Sequence, residues 1–196
     1  MCSTADKLVG LSDEELARRS RAGSSSCFEE LVRRFQVPLL CFLLRRTARR
    51  CDAEDIVQES FVRAYECMGQ YRDAWPFRTW LFTIAHRLAI SHGRKVHARD
   101  EAELTAEPAE DEEGPAERLG REEEKRGLWE AARALLTGEQ FSAVWLHYVE
   151  ELPAREIARV LGRTRMAVKT MLHRARKRLL TQLAMSMVGQ MQRGEV

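Results

Sequence analysis

Apolar residues recur at steps of three and four along most of this chain, which is the spacing of one buried face of an α-helix. No long run of alternating apolar and polar residues, the pattern of a half-buried strand, interrupts that spacing. The pattern predicts four helices in the N-terminal half, over residues 13–22, 27–48, 52–68 and 77–94. Ser12 is the expected cap of the first helix, and Asp52 is the expected acidic cap of the third.

The same spacing predicts four more helices in the C-terminal half, in a domain that ends near Leu183. The first two apolar faces consist of Trp129, Ala132, Leu135 and Leu136, and of Phe141, Val144, Trp145 and Tyr148. Thr137 and Gly138 separate these two helices. The pattern leaves open whether the tail through Met191 continues the last helix.

The last two predicted helices form a pair around a glycine turn. The first has a short apolar face of Ile157, Ala158 and Leu161, and the second has one of Val168, Leu172, Ala175 and Leu179. Pro153 suits the first turn of a helix, because the N–H that it lacks is unused there. Gly162 stands where a helix ends in the left-handed conformation, and Thr164 is the expected cap of the next helix.

Positive charge is concentrated in this helix pair. Residues 152–182 contain nine bases and one acid, Glu156, which gives a formal charge of +8, whereas the whole chain carries +2. Such a pair is the expected footprint of a helix-turn-helix on the phosphate backbone of DNA. The alternative is a solvated amphipathic helix in a bundle, but a helix of that kind tends to mix both signs of charge to form ion pairs between its turns.

A run of acidic residues separates the two halves. Residues 100–117 contain nine acids and no base, together with two prolines and a glycine, and their one large apolar residue is Leu104. Such a segment cannot bury enough apolar surface to order itself. We therefore predict an all-α protein of two small helical domains: an N-terminal helical bundle over 11–99, an acidic flexible linker over 100–120, and a C-terminal helix-turn-helix domain over 121–184.

A second basic surface is predicted on the helix over residues 77–94. Its polar side carries Arg78, Thr83, Arg87, Ser91 and Arg94, opposite an apolar side of Leu81, Ile84, Ala85 and Leu88. Four aromatic residues lie nearby in the sequence, Tyr71, Trp75, Phe77 and Trp80. Aromatic rings beside bases can hold unstacked nucleic acid, although such tryptophans, Trp80 above all, also fit a place in the core.

Several classes of function find no support in the residues. No paired catalytic carboxylates, glycine-rich phosphate loop or metal-ligand spacing is present, so we expect neither an enzyme nor a metal or cofactor site. The five cysteines contain no Cys-x-x-Cys pair and are expected to be free thiols. Because no segment resembles a signal peptide or a membrane span, we expect a cytoplasmic protein without membrane insertion.

Four segments in order resemble the extracytoplasmic-function group of the sigma-70 family, the bacterial RNA polymerase initiation factors. They are LSDEELARRSRAGSSSCFEELVRRF, from residue 11; DAEDIVQESFVRAYE, from residue 52; FRTWLFTIAHRLAISHGRK, from residue 77; and LPAREIARVLGRTRMAVKTMLHRARKRL, from residue 152. The second is similar to the most recognisable signature of the family, the third to its promoter-melting helix and the fourth to its promoter-reading helix-turn-helix. The resemblance implies a stress-response sigma factor that binds core polymerase and promoter DNA, with an anti-sigma factor as a further partner.

The resemblance also implies roles for particular residues. Asp55, Gln58 and Glu59 would contact a basic coiled coil of the polymerase clamp. The downstream promoter element would be melted and held, with one base flipped into a loop, by Tyr71, Arg72, Trp75, Phe77, Arg87, Ser91 and Arg94. The upstream element would be read as duplex by Arg165, Lys169, Thr170, His173, Arg174 and Lys177.

Two features keep other interpretations open. The family commonly has Asn at the position of Arg87, Asp at that of Ser91 and Arg at that of Met171, which leaves the promoter sequence undetermined. A stand-alone helix-turn-helix regulator would share the basic helix pair but would not bind polymerase. The cluster of Asp55 and Glu59, which lie one turn apart on one helix face, favours the polymerase partner over a merely solvated acidic face.

Overall fold

The computed structural model describes residues 8–44, 46, 47, 49–100, 129, 132 and 134–191, with the helical backbone alone for 95–100 and 183–191. The chain divides into two compact units, Met1–Asp111 and Glu112–Val196. The predicted acidic linker, apart from Asp100, lies outside the described residues. Where the structure describes regular secondary structure, it is helical, which confirms the predicted all-α class.

The first unit is built from α1 (Asp13–Arg21), α2 (Ser25–Leu44), α3 (Arg50–Glu66) and α4 (Phe77–Asp100), with a 3₁₀ turn (Met68–Gln70) after α3. The four predicted helices are therefore confirmed; two of their starts agree, and the other ends differ by one to six residues. The largest difference is at α4, which continues past Arg94 because the next six residues contain no glycine or proline to stop it.

The core of the first unit lies between all four helices, α1 to α4. Nine of its large side chains are at most 1% exposed: Leu16, Leu31, Phe35, Leu39, Phe42, Leu43, Phe77, Leu81 and Phe82. The Phe35 and Phe77 rings are 5.6 Å apart and those of Phe42 and Phe82 are 5.3 Å apart, so aromatic pairs join α2 to α4 at two levels. This packing fixes α4, and with it the outer face on which the predicted basic residues lie.

The predicted acidic cap of α3 is wrong. The helix begins two residues earlier, at Arg50, so Asp52 lies within its first turn and is 6% exposed. Its carboxylate accepts hydrogen bonds from the Arg49 guanidinium at 3.0 and 3.1 Å. Ser12, by contrast, caps α1 as predicted, because its Oγ accepts a hydrogen bond from the backbone N–H of Glu15.

A buried carboxylate, Glu30, organises the start of the first unit. It is 8% exposed and accepts hydrogen bonds from Arg33 and Arg34 at 2.7–2.8 Å. Arg34 also pairs with Asp13 and donates to the carbonyls of Leu8, Val9 and Leu11. The hydrogen bonds from Arg33 and Arg34 lower the pKa of Glu30 from 4.5 to about 2.

We expect Glu30→Gln to destabilise the first unit by about 1 kcal/mol at pH 7, a modest loss because Arg33 is 62% exposed and water screens its charge. A carboxyl group whose pKa is lower in the folded than in the unfolded protein stabilises the fold. That stabilisation is complete above the unfolded-state pKa and is lost as the pH falls toward the folded-state pKa. The difference between wild type and variant should therefore shrink between pH 5 and pH 2 in urea unfolding. If the stability difference between wild type and Glu30→Gln does not change with pH, the prediction is wrong. It is also wrong if the exposed Glu29→Gln destabilises the unit equally.

The second unit is built from α5 (Gly138–Tyr148), α6 (Ala154–Leu161) and α7 (Arg165–Met191). Helical backbone is also present at Trp129, Ala132, Ala134 and Leu135, where the first helix of this half is predicted. Thr137 caps α5 in a reciprocal capping box with Gln140, and Pro153 is the cap of α6 and not part of its first turn. Because α7 ends at Met191, the tail continues the last helix.

Three general features follow from the described residues. None of their helices is long and apolar enough to cross a membrane. Within them, no group of three His, Cys, Asp or Glu side chains forms a plausible metal site. The described cysteines Cys27, Cys41, Cys51 and Cys67 form no disulfide, and Cys27 is 2% exposed, as expected for a cysteine that serves as a small core residue.

Candidate nucleic-acid and protein interfaces

Three predicted residues form an exposed acidic ridge on α3: Asp55, Gln58 and Glu59. The opposite side of the helix is buried through Ala53, Ile56, Ser60 and Ala64, so the packing of α3 turns the ridge toward solvent. The Glu59 carboxylate lies 3.7 Å from the Arg63 guanidinium, and both side chains are more than half exposed. Such a pair contributes under about 1 kcal/mol, so a cationic partner can compete for Glu59.

The acidic ridge continues into an apolar surface that the sequence analysis missed. Val62 and Tyr65 are 56% and 58% exposed and follow Glu59 at steps of three along α3. They line a groove of about 490 Å³ between α2 and α3, together with Ser25, Phe28, Glu29, Phe61 and Glu66. Large apolar side chains that stay exposed beside a charged rim are typical of a protein-binding surface. The helical spacing from Glu59 was the signal that could have identified them.

The loop of residues 71–76 lies on a cluster of aromatic rings. Tyr71 and Phe77, at its two ends, are 1% and 0% exposed, and the Trp80 ring lies 5.3 and 5.7 Å from theirs. The Tyr71 hydroxyl donates to the Trp75 carbonyl at 3.2 Å, and burial raises the pKa of Tyr71 to about 12. These two predicted DNA contacts therefore lie in the core beneath the loop, where they shape it without facing solvent.

The remaining predicted residues of this surface are accessible. Arg72 is exposed in the loop, Trp75 is half-buried, and Arg87, Ser91 and Arg94 are exposed on α4 at helical spacing. Thr83 and Arg78, which were also predicted on this face of α4, are less exposed. Thr83 is buried and bonds the Thr79 carbonyl at 2.6 Å, and the Arg78 guanidinium lies 5.5 Å from the centre of the Phe35 ring. Among the described side chains of α4, the exposed arginines are thus Arg87 and Arg94.

The turn between α6 and α7 has the local geometry predicted from the sequence. Gly162 adopts φ 62° and ψ 36°, the left-handed conformation that glycine adopts without strain. The Thr164 hydroxyl accepts a hydrogen bond from the backbone N–H of Ala167 at 3.2 Å, which caps α7. Val168 and Ala175 are fully buried, and Leu172 and Leu179 are half-buried, so the apolar side of α7 rests on its own unit.

The polar side of α7 faces solvent. All six residues predicted to contact the upstream element are exposed: Arg165, Lys169, Thr170, His173, Arg174 and Lys177. They extend over about 18 Å of helix at 1.5 Å per residue, which is long enough to cross a major groove about 12 Å wide. This side of α7 can therefore enter a groove while the helix stays packed on its unit.

Three arginines of the basic segment bond within the unit. Arg163 pairs with Glu139, Arg176 donates to the Tyr148 hydroxyl, and Arg178 donates to the Gln140 side chain at 3.2 Å. Arg178 nonetheless lines an open cavity of about 620 Å³ with Leu135, Arg174, Lys177, Thr181 and Gln182. Arg178, Thr181 and Gln182 were not predicted as site residues from the sequence, although Arg174, Lys177 and Arg178 share one helix face.

Comparisons with known proteins show which family this chain resembles. The model of Sigma-70 region 2 matches residues 31–99 and that of Sigma-70 region 4 matches residues 128–179. The chain is 32% identical to the RNA polymerase sigma factor YlaC of Bacillus subtilis, over 77% of this chain and 88% of that one. It is 30% identical to the ECF RNA polymerase sigma-E factor of Salmonella typhimurium, over 85% and 92%.

Among solved structures, the chain is similar to the sigma factor RpoE of Bartonella quintana, determined in complex with the anti-sigma factor NepR. The TM-score is 0.66 at 22% identity, and the match covers 80% of this chain and 96% of that one. At this level of identity the likeness concerns the fold, which is all-helical in both.

Proposed function

This chain belongs to the extracytoplasmic-function group of the sigma-70 family, and we propose that its three exposed surfaces divide the work of an RNA polymerase sigma factor. Such a factor binds core polymerase, recognises promoter DNA and opens it; in this role the chain is an initiation factor and not an enzyme. The observation that carries the division is the exposure of Asp55, Gln58 and Glu59 on α3. A stand-alone regulator has no use for such a ridge.

We infer that the acidic ridge docks on the polymerase clamp. Its carboxylates suit a basic coiled coil, and charge complementarity of this kind raises the rate of association and selects the partner. Val62 and Tyr65 extend the ridge and supply the apolar contact that charge alone lacks. In this proposal α3 contributes both the electrostatic and the apolar part of the interface.

The first unit is proposed to hold the melted downstream element. Flipping a base out of the stack costs a few kcal/mol, so the loop of residues 71–76 must repay that cost. Trp75 and Arg72 are the accessible members of the loop, and Arg87, Ser91 and Arg94 supply a polar and basic track along α4. Tyr71 and Phe77 act indirectly, because their buried rings support the loop.

The second unit is proposed to read the upstream element with α7 in the major groove. If Lys169 or Arg174 binds a base edge, its replacement by Ala should weaken DNA binding by about 1–3 kcal/mol. It should also relax the sequence preference at one base pair. Arg178→Gln should instead weaken DNA binding equally for all sequences and lower the salt dependence by about one ion, because Arg178 lines an open cavity with two further cations, Arg174 and Lys177. Binding to a promoter library at several salt concentrations separates the two effects.

Arg163→Gln is the matched control for Arg178→Gln, because Arg163 also bonds within the unit, to Glu139, but does not line the cavity. An unaltered promoter profile for both Lys169→Ala and Arg174→Ala would mean that α7 is not the reading helix.

The acidic segment of residues 100–117 is proposed to weaken non-specific DNA binding by the free protein, because its nine acids repel phosphate. Replacing Glu110, Asp111, Glu112 and Glu113 by their amides should raise affinity for random duplex several-fold at low salt, and less at high salt. Fluorescence anisotropy with a labelled random duplex measures this. Equal affinity of both proteins at every salt concentration would disprove it.

An anti-sigma factor is a further proposed partner, acting where the polymerase does, in the cytoplasm. The relative of known structure from Bartonella quintana was solved with the anti-sigma factor NepR. The exposed groove that Val62 and Tyr65 line is a surface that such a protein could cover, and its occupation would block the adjacent ridge.

The proposed function is tested by mixing the purified chain with core polymerase and following assembly by native electrophoresis, then transcription from a promoter library. We expect a stable complex and transcripts from a defined set of promoters. A stand-alone regulator would bind promoter duplex by itself and ignore core polymerase. An enzyme acting on nucleic acid would alter its substrate without polymerase.

A further inference from the structure

Helix α1 lies beside the loop of residues 71–76 and contacts it at two points. The Arg21 guanidinium donates through Nη1 to the Tyr71 carbonyl at 3.0 Å, across 50 positions of sequence. The Arg18 Nε lies 3.9 Å from Asp73 Oδ2. Both contacts begin on a helix that precedes residues 31–99, the part of the chain that the Sigma-70 region 2 model matches.

The loop has two further anchors of its own. The Tyr71 N–H donates to the Met68 carbonyl at 3.1 Å, and its hydroxyl donates to the Trp75 carbonyl at 3.2 Å. Tyr71 is therefore held at its N–H, its carbonyl and its ring, and α1 supplies the carbonyl contact. Without Arg21, the carbonyl loses its charged donor and Tyr71 is held by its N–H and ring alone.

We propose that Arg21 is a positioning residue for promoter opening, which holds the base-capturing loop in its binding conformation by bonding the Tyr71 carbonyl. This inference rests on the proposed function of the loop. A loop that is already ordered loses less conformational entropy when it captures a base. If only a fraction of the molecules has the loop in its binding conformation, the apparent affinity falls in proportion to that fraction. Arg18, with a longer and more exposed contact, contributes less.

The test uses the full chain assembled with core polymerase, on a promoter that the wild-type holoenzyme selects from a random library. Arg21→Ala should assemble normally with core but form open complexes about tenfold less well, measured by permanganate reactivity of unpaired thymines. Arg21→Lys keeps the charge and a donor and should recover part of the loss. Arg18→Ala should reduce open-complex formation about twofold.

Arg19→Ala is the matched control, because Arg19 is half exposed on the same helix and pairs with Glu15 of α1 itself. Its open complexes should equal those of the wild type. Equal thermal midpoints for the Arg21 and Arg19 variants show that the unit remains folded; if Arg21→Ala does not fold, Arg21→Lys and Arg18→Ala carry the test.

A scan with abasic sites separates positioning from general destabilisation. Removing the captured base should weaken the wild-type complex at one promoter position, and Arg21→Ala should be insensitive to that same removal, because the loop no longer exploits the base. If Arg21→Ala opens promoters as well as Arg19→Ala, or remains as sensitive as the wild type at every position, the inference is wrong. A wild-type protein that does not assemble with core or open any promoter would instead refute the proposed function.

Discussion

Reversing the charge of the acidic ridge should abolish assembly with core polymerase. In Asp55→Lys/Glu59→Lys, two cations face the basic clamp in place of two anions, and like charges brought together across an interface cost several kcal/mol. We expect affinity for core to fall at least about 100-fold, since each 1.4 kcal/mol is a factor of ten. Competition with the wild-type chain for core polymerase measures the loss.

The fold should tolerate this double change. Both residues are exposed, and the Glu59–Arg63 contact is weak. Glu139→Lys is the control for an added positive charge, because Glu139 is 48% exposed on α5 of the second unit and does not lie on α3. It should bind core nearly as well as the wild type. If the double variant assembles normally, α3 is not the polymerase-binding helix.

The largest effect on stability is expected at Phe77. Its fully buried ring packs against Phe35 and Tyr71, at 5.6 and 5.7 Å between ring centres, so Phe77→Ala leaves a cavity that α4 cannot close. We expect a loss of about 3–5 kcal/mol in the free energy of unfolding of the first unit. Because small domains are stable by only about 5–15 kcal/mol, its thermal midpoint should fall by more than about 10 °C.

Two further variants test whether Phe77 acts through the core. Phe77→Leu keeps most of the volume and should cost under about 1.5 kcal/mol. Arg72→Ala, at an exposed loop position, should leave stability within about 0.5 kcal/mol of the wild type. Calorimetry of the full chain measures all three. A Phe77→Ala protein as stable as Arg72→Ala would mean that the ring does not contribute to the core.

Much of the helix-turn-helix could be predicted because short-range physics decides it. The apolar spacing of α7 identifies its buried side, Gly162 is a residue that adopts a positive φ without strain, and Thr164 can reach the N–H three residues on. Each of these depends on residues within one or two turns. The helices of the first unit were predictable for the same reason, apart from their ends.

The places of Tyr71 and Phe77 could not be predicted in this way. Aromatic rings near bases give the same sequence pattern whether they stack on nucleic acid or on one another. The choice depends on Phe35, more than thirty residues earlier, which occupies the space beside Phe77. The partners of Arg176 and Arg178 likewise lie 28 and 38 positions away. Long-range contacts of this kind have no periodicity to reveal them.

Three arginines that bond to α5 have a consequence for how the second unit meets DNA. Arg163, in the turn before α7, and Arg178 bond near the start of α5, and Arg176 bonds at its end, so these contacts are in place before the unit meets the duplex. Association then requires little folding, and its heat-capacity change should reflect the buried contact area alone. Because Arg163 and Arg176 are engaged within the unit, fewer condensed cations should leave the duplex than the nine bases of residues 152–182 would suggest.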